Sequence, residues 1–267
     1  MPQQPLPAAE PVSRDPGRRL SDWYETVAGR RTKESENQLL TRVLRHLFGY
    51  HLVVLGSQLP DESLSESPVA HRVYIAEHRR QGDRLDLQGC MHLLPLQNDS
   101  VDVLVLPHIL EFSKQPHAIL REVERVLRPD GHVVIFGFNP VSCFGVCRVL
   151  FGFTGKMPWK GHYYHPWRMR DWTKLLGFEL VRIDYAVFAP PIQHNKILSL
   201  LSPMESLRKS WLLPLGGVYM MVAKKLAVRP NVIRPQWKAG TGLIKKGVAE
   251  PSGRIVNQRV TGKDSDK

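Results

Sequence analysis

Two residues near the start of the chain are placed for ligand chemistry. A short apolar run, His51-Leu52-Val53-Val54-Leu55, ends in Gly56, and Glu77 follows 21 residues later, after a second run, Arg72 to Ala76. Glycine at a strand end lets a ligand approach the backbone closely. A carboxylate about 20 residues on, at the end of the neighbouring strand, can accept hydrogen bonds from both hydroxyls of a ribose. The competing reading of Glu77 is an exposed acid in the charge run with His78, Arg79 and Arg80. His108 and Glu111 follow a third run, Val101 to Leu106. A histidine there can serve as a substrate-side acid or base, since its charge titrates near neutral pH. It can equally pack beneath a ligand, with Glu111 as a cap or hydrogen-bond anchor.

The cysteines are Cys90, Cys143 and Cys147. An odd, low count argues against a disulfide framework and fits a reducing, cytoplasmic setting. Cys143 and Cys147 fall on one helical face, but no second pair stands at zinc-ligand spacing, so no metal site is expected.

The elements that must position these residues follow from periodicity. Leu39, Leu40, Val43, Leu44 and Leu47 form one face of a helix expected from about Glu34 to Phe48 and ended by Gly49. Ser21 to Tyr24 opens an earlier helical stretch. The runs at 51–55, 72–76, 101–106 and 132–136 are continuously apolar, as strands buried on both faces of a parallel sheet are. Between the last two lies a helix, Gln115 to Arg128, with Pro116 in its first turn, and Pro129-Asp130-Gly131 then turns the chain. Strand, helix and strand with short links make a βαβ unit with a right-handed crossover. Further on come a helix from Arg168 to Leu176 closed by Gly177, a long strand from Phe178 to Phe188, and a final strand from Gly217 to Ala223. A helical piece is expected near Lys196 to Leu201.

The expected organisation is a flexible arm at 1–18, one domain at 19–225, and a basic tail at 226–267. Segments 139–165 and 189–215 interrupt the domain and cover its site. The first contains the aromatic and His-rich group Trp159, His162, Tyr163, Tyr164, His165 and Trp167, which either lines a pocket for a planar substrate or packs on the domain.

The chain has 267 residues, 42% of them hydrophobic, enough for one α/β domain with a large core. No run reaches the roughly 18 apolar residues of a membrane span. The net charge of +12 invites a nucleic-acid partner, but from Lys224 onward there are eleven Lys or Arg against three acids, so +8 of it sits at the C-terminus. That stretch lacks the interleaved aromatics of a base-stacking groove, and nucleic-acid binding through it is the less favoured reading.

One segment is far more specific. It runs Leu94-Pro95-Leu96-Gln97-Asn98-Asp99-Ser100-Val101-Asp102, then Leu110-Glu111-Phe112, then Leu120-Arg121-Glu122-Val123-Glu124-Arg125-Val126-Leu127-Arg128-Pro129-Asp130-Gly131. It resembles the type 11 branch of the class I S-adenosylmethionine-dependent methyltransferases. The resemblance is close from Leu94 to Phe138 and looser from His51 to Ala223. It implies an α/β, doubly wound, Rossmann-like fold: a mostly parallel seven-stranded sheet with an antiparallel last strand. It also implies S-adenosyl-L-methionine as cofactor. In that family the methionine part lies over a glycine-rich turn, here Gly56 and Ser57, where this chain has one glycine in place of an acid and three. The ribose acid corresponds to Glu77. The position near the adenine amino group falls on Cys90, with the Met91 amide beside the ring and His108 at the mouth. Asp102 matches an aspartate whose role is structural.

Two functions follow from the resemblance. One is methyl transfer to an unidentified small-molecule acceptor. The other is a non-catalytic binding or scaffold protein that kept the fold and lost cofactor affinity, as the reduced glycine turn suggests. The cofactor carries the reactive methyl group, so no universal catalytic side chain is required.

Overall fold

A computed structural model describes residues 16–56, 64–78, 84–154, 157–187 and 215–227. The chain divides into two units, 1–228 and 229–267, and the described elements all lie in the first. Ser57, the expected helix at 196–201, nearly all of the 189–215 segment and the tail beyond Ala227 fall outside the described residues.

The helices α1 (Pro16–Tyr24) and α2 (Val27–Leu44) lead into the sheet. Thr26 separates them and caps α2, its hydroxyl accepting from the Gly29 amide at 3.1 Å. This cap starts α2 well before the expected Glu34. The apolar stripe read from the sequence is the buried face, with Leu39, Leu40, Val43 and Leu44 in the core.

Seven strands follow: β1 (His51–Leu55), β2 (His71–Ala76), β3 (Leu87–Gln88), β4 (Val101–Pro107), β5 (Leu127–Phe138), β6 (Phe178–Ala186) and β7 (Val218–Lys225). Their spatial order is β3-β2-β1-β4-β5-β7-β6. Pairings from β3 through β5 are parallel, and β7 runs antiparallel to both of its neighbours. Between β4 and β5 stand α3 (Ile109–Phe112) and α4 (Pro116–Val126); α5 (Cys143–Phe151) and α6 (Pro166–Leu175) follow β5.

Strand alternation splits the core into two layers. Leu52, Val54, Val103 and Val105 face the layer that holds Leu40 and Leu44 of α2. Val53, Leu55, Leu104 and Leu106 face the layer that holds Ile119, Leu120 and Val123 of α4. Helices on both faces explain why these strands read as unbroken apolar runs.

Two expectations are corrected. Strand β5 begins at Leu127, not His132, and Pro129-Asp130-Gly131 is a bulge within it. Its register against β4 steps from Val101↔Leu127 to Val103↔His132, so the extra residues loop out, with Asp130 at φ 67°. Segment 139–165 is also more ordered than a covering loop. Ser142 caps α5, its hydroxyl accepting from the Phe144 amide at 3.1 Å.

Candidate cofactor site

Sheet order reverses between β1 and β4: the chain leaves β1 toward β2 and leaves β4 toward β5. In such sheets ligands bind outside the carboxyl ends of the strands at the reversal. Gly56 ends β1 there, Glu77 follows β2, and His108 and Ile109 follow β4.

Gly56 has φ +85°, and its amide donates to Ile75 O at 2.7 Å, placing it beside the end of β2. A Cβ added to Gly56 would lie 3.0 Å from Ile109 Cδ1. A side chain here would be strained by the backbone conformation and would press on the end of the Ile109 side chain.

Glu77 is exposed. Its backbone carbonyl accepts from Gln88 Nε2 at 2.8 Å, which holds it against β3. Its carboxylate Oε1 lies 3.4 Å from the Met91 amide and 3.9 Å from Cys90 Sγ. Cys90 is half-buried and Met91 buried. Residues 90 to 93 form a tight turn, closed by Leu93 N donating to Cys90 O at 3.1 Å. The glutamate and arginine of α4 hold the chain just beyond this turn. Glu122 Oε2 accepts from the Leu94 amide at 2.9 Å, and Arg125 donates to Leu94 O at 3.0 Å and Leu96 O at 2.9 Å. The Arg125 guanidinium also lowers the Glu122 carboxyl below its usual value.

His108, read from the sequence as either a substrate-side acid or base or a residue packed beneath the ligand, is a buried side chain. Its side chain is shut off from water, and both ring nitrogens are engaged within the protein. Nδ1 meets Glu111 Oε2 at 2.6 Å and Nε2 meets Glu36 Oε1 at 2.9 Å, while the ring stacks on Phe138 at 4.1 Å. Burial by itself would lower its pKa, but the two flanking carboxylates outweigh that and push it up to about 10. His108 is thus an imidazolium between two acids. Glu111 is the anchor expected of it: Oε1 accepts from the Phe138 amide at 2.5 Å, and burial raises its carboxyl although His108 opposes the rise. Tyr24 completes the chain by donating to Glu36 Oε2 at 2.9 Å. The network ties α1 and α2 to the ends of β4 and β5.

Glu36 and Tyr24 escaped the sequence reading. The signal was a polar residue on the apolar stripe of α2, three and four residues before Leu39 and Leu40. Asp102 has the structural role expected of it. Its Oδ2 accepts from the amides of Tyr50 and His51 at 2.8 and 3.0 Å, fixing the entry to β1.

The aromatic group after α5 divides. Trp159 and Tyr163 pack against the core layer, and Tyr164 packs on Trp172 at 4.9 Å. His165 caps α6, its Nδ1 accepting from the Trp167 amide at 3.2 Å. His162 and Trp167 remain exposed. Among these residues packing dominates.

Comparison with known proteins bears on the same segment. Residues 64–135 match a family described as "Methyltransferase domain", of the type 11 branch. Uncharacterized protein YafS of Escherichia coli (strain K12) is 28% identical over 214 residues, spanning 80% of this chain and 83% of that one. An S-adenosylmethionine-dependent methyltransferase of Thermotoga maritima has the same fold, with a TM-score of 0.57 at 16% identity over 76% of this chain and 93% of its own. So does a methyltransferase of Haloferax volcanii solved in complex with the Trm112 methyltransferase activator, with a TM-score of 0.53 at 15% identity over 79% of this chain and 99% of its own. Residues 64–135 thus resemble a methyltransferase domain, and the chain shares the α/β fold of these solved methyltransferases. No helix among the described residues is long and apolar enough to cross a membrane.

Proposed function

We propose that the protein binds S-adenosylmethionine at the ends of β1, β2 and β4 and transfers its methyl group to a small-molecule acceptor. The observation that carries this reading is the pairing of Gly56 and Glu77 at the point where sheet order reverses. Gly56, at φ +85°, donates its amide to Ile75 O at the end of β2, and Glu77 follows that strand end with an exposed carboxylate. A carboxylate accepts hydrogen bonds without donating, which suits the paired hydroxyls of a ribose. The Met91 amide and the half-buried Cys90 flank the place for the adenine, and Ile109 bounds the side toward β4. Ser57, the next residue in sequence, lies outside the described residues. These residues fit an adenosyl group in spite of the single glycine.

The cofactor supplies a methyl group on a sulfonium, and the chain's own residues align and exclude water. His108 acts as a positioning residue in this scheme. Its bonds to Glu36 and Glu111 fix the backbone after β4, where Ile109 meets Gly56. Half-buried Phe112 and exposed His162, whose amide donates to Glu111 O at 2.8 Å, support an acceptor side beyond β4 and β5.

Calorimetric titration with S-adenosylmethionine and S-adenosylhomocysteine tests the reading. The wild type is expected to bind both, and Glu77→Ala to bind about tenfold to a hundredfold more weakly, the worth of a charged hydrogen bond. Absence of heat from the wild type sinks methyl transfer and favours a scaffold role.

A further inference from the structure

One group of side chains is arranged for chemistry that methyl transfer does not use. Glu77, Cys90 and His92 bring a carboxylate oxygen, a sulfur and an imidazole nitrogen within 4.8 Å of one another. It is the one such grouping among the described residues. Cys90 Sγ lies 3.0 Å from His92 Nδ1 and 3.9 Å from Glu77 Oε1. Around a tetrahedral zinc ion, with bonds of roughly 2.3 Å to sulfur and 2.0 Å to nitrogen, neighbouring ligand atoms stand about 3.5 Å apart. The observed distances straddle that value, so small side-chain rotations suffice to close the site.

The backbone is already set. The Cys90 to Leu93 turn directs Cys90 and His92 to the same side, while Met91 between them is buried at 6% exposure. Leu94, at 3% exposure, fixes the far end, and Glu122 and Arg125 clamp its amide and carbonyl. Glu77 and His92 are exposed, so an ion can enter from solvent. No metal site is expected from Cys143 and Cys147; two ligands of this grouping come instead from the alternation Cys90-Met91-His92.

We propose that Glu77, Cys90 and His92 form a site for a divalent cation of the zinc type, and that this ion competes with the cofactor ribose for Glu77. A thiolate with an imidazole selects zinc-like ions over magnesium or calcium, which prefer oxygen. Three protein ligands leave one position for water. The thiol proton passes to solvent on coordination, so affinity rises with pH. The competition rests on the ribose role assigned to Glu77 under the proposed function, whereas the ion site itself stands without it.

The full chain, kept reduced, is titrated with zinc against a chromophoric chelator. One zinc per chain is expected, weakened about tenfold or more in Cys90→Ser and in His92→Ala, and unchanged in Cys143→Ser/Cys147→Ser. Equal zinc binding by wild type, Cys90→Ser and His92→Ala overturns the site, as does magnesium binding as tight as zinc. A second titration follows S-adenosylmethionine with and without zinc. Weaker binding with zinc in the wild type, absent in His92→Ala, supports the competition; identical binding in the wild type overturns it. Stoichiometric zinc lost in the two ligand variants, with no binding of S-adenosylmethionine by any protein, keeps the site and rejects the methyl-transfer reading.

Discussion

His108 Nε2 and Glu36 Oε1 meet at 2.9 Å inside the protein, 72 positions apart in sequence, with both side chains almost wholly withdrawn from water. Through this pair the N-terminal helices are fastened to the end of β4, and so to the rim of the candidate site.

The pair sets a pH dependence. The pKa of His108 rises from its ordinary 6.5 to about 10 on folding. A group raised on folding contributes stability that is complete below its unfolded value and lost as pH climbs through its folded one. Glu111, also raised, acts in the same direction from 4.5 upward. The melting temperature is therefore expected to fall between pH 6.5 and 10. Glu36→Gln removes one of the acids that holds the imidazolium, so its profile should be flatter over that window. Thermal scans showing parallel profiles for the two proteins rule the account out.

Gly56 should accept a side chain only at a cost in stability. Its φ of +85° disfavours an L-residue by about 1–2 kcal/mol, and the new methyl would press on Ile109. Gly56→Ala is expected to be less stable by about that amount and to bind S-adenosylmethionine more weakly. Adding Ile109→Ala should relieve the contact but not the backbone cost. Denaturant unfolding of the single and double variants checks both parts, and a Gly56→Ala protein as stable as wild type contradicts them.

Arg125 should control the order of the chain from Leu94 to Asn98. It donates to Leu94 O, Leu96 O and Asn98 Oδ1 while paired with Glu122. Arg125→Ala should speed amide hydrogen exchange there, and Arg125→Lys should not restore it, since one ammonium cannot span these acceptors in the guanidinium's fixed fork. Unaltered exchange in Arg125→Ala contradicts the clamp.

Asp102→Ala strips the Tyr50 and His51 amides of their acceptor. A destabilisation of about 1.5–3 kcal/mol is expected, as for hydrogen bonds to a charged group. Gly49 is needed for the same approach, because a Cβ there would stand 2.3 Å from Asp102 Cβ. Asp102→Asn, which keeps one acceptor oxygen, should lose less. Equal stability of Asp102→Ala and wild type would remove the role.

Strands buried on both faces were legible because their runs are mostly apolar, with polar residues confined to their first two positions: His51 to Leu55, Arg72 to Ala76 and Val101 to Leu106 all fall within a residue of their observed limits. Strand order was not, because it is set by crossovers whose partners lie far apart in sequence. The resemblance of Leu94 to Phe138 implied only the number of strands and the antiparallel last one; the order itself is read from the structure. That motif's glutamate and arginine had no visible purpose until α4 placed Glu122 and Arg125 beside Leu94. His108 was legible as a notable residue but not in its surroundings, since Glu36 reaches it from 72 positions away. His92 was overlooked because a turn, not a helix or strand period, brings it beside Cys90.

The placing of β7 between β5 and β6 bears on how the chain is completed during synthesis. Among the described residues, strand β6 joins the sheet only through β7. Until residues 218–225 have emerged, Phe178–Ala186 has no place in the sheet, and β5 presents an unpaired, largely apolar edge. Closure across the interval from Phe138 to Val218 is a long-range step, slow compared with forming the β1 to β4 pairings. A nascent chain halted before Val218 is thus exposed to edge-to-edge association with its neighbours, and that risk ends when the seventh strand slots into the gap.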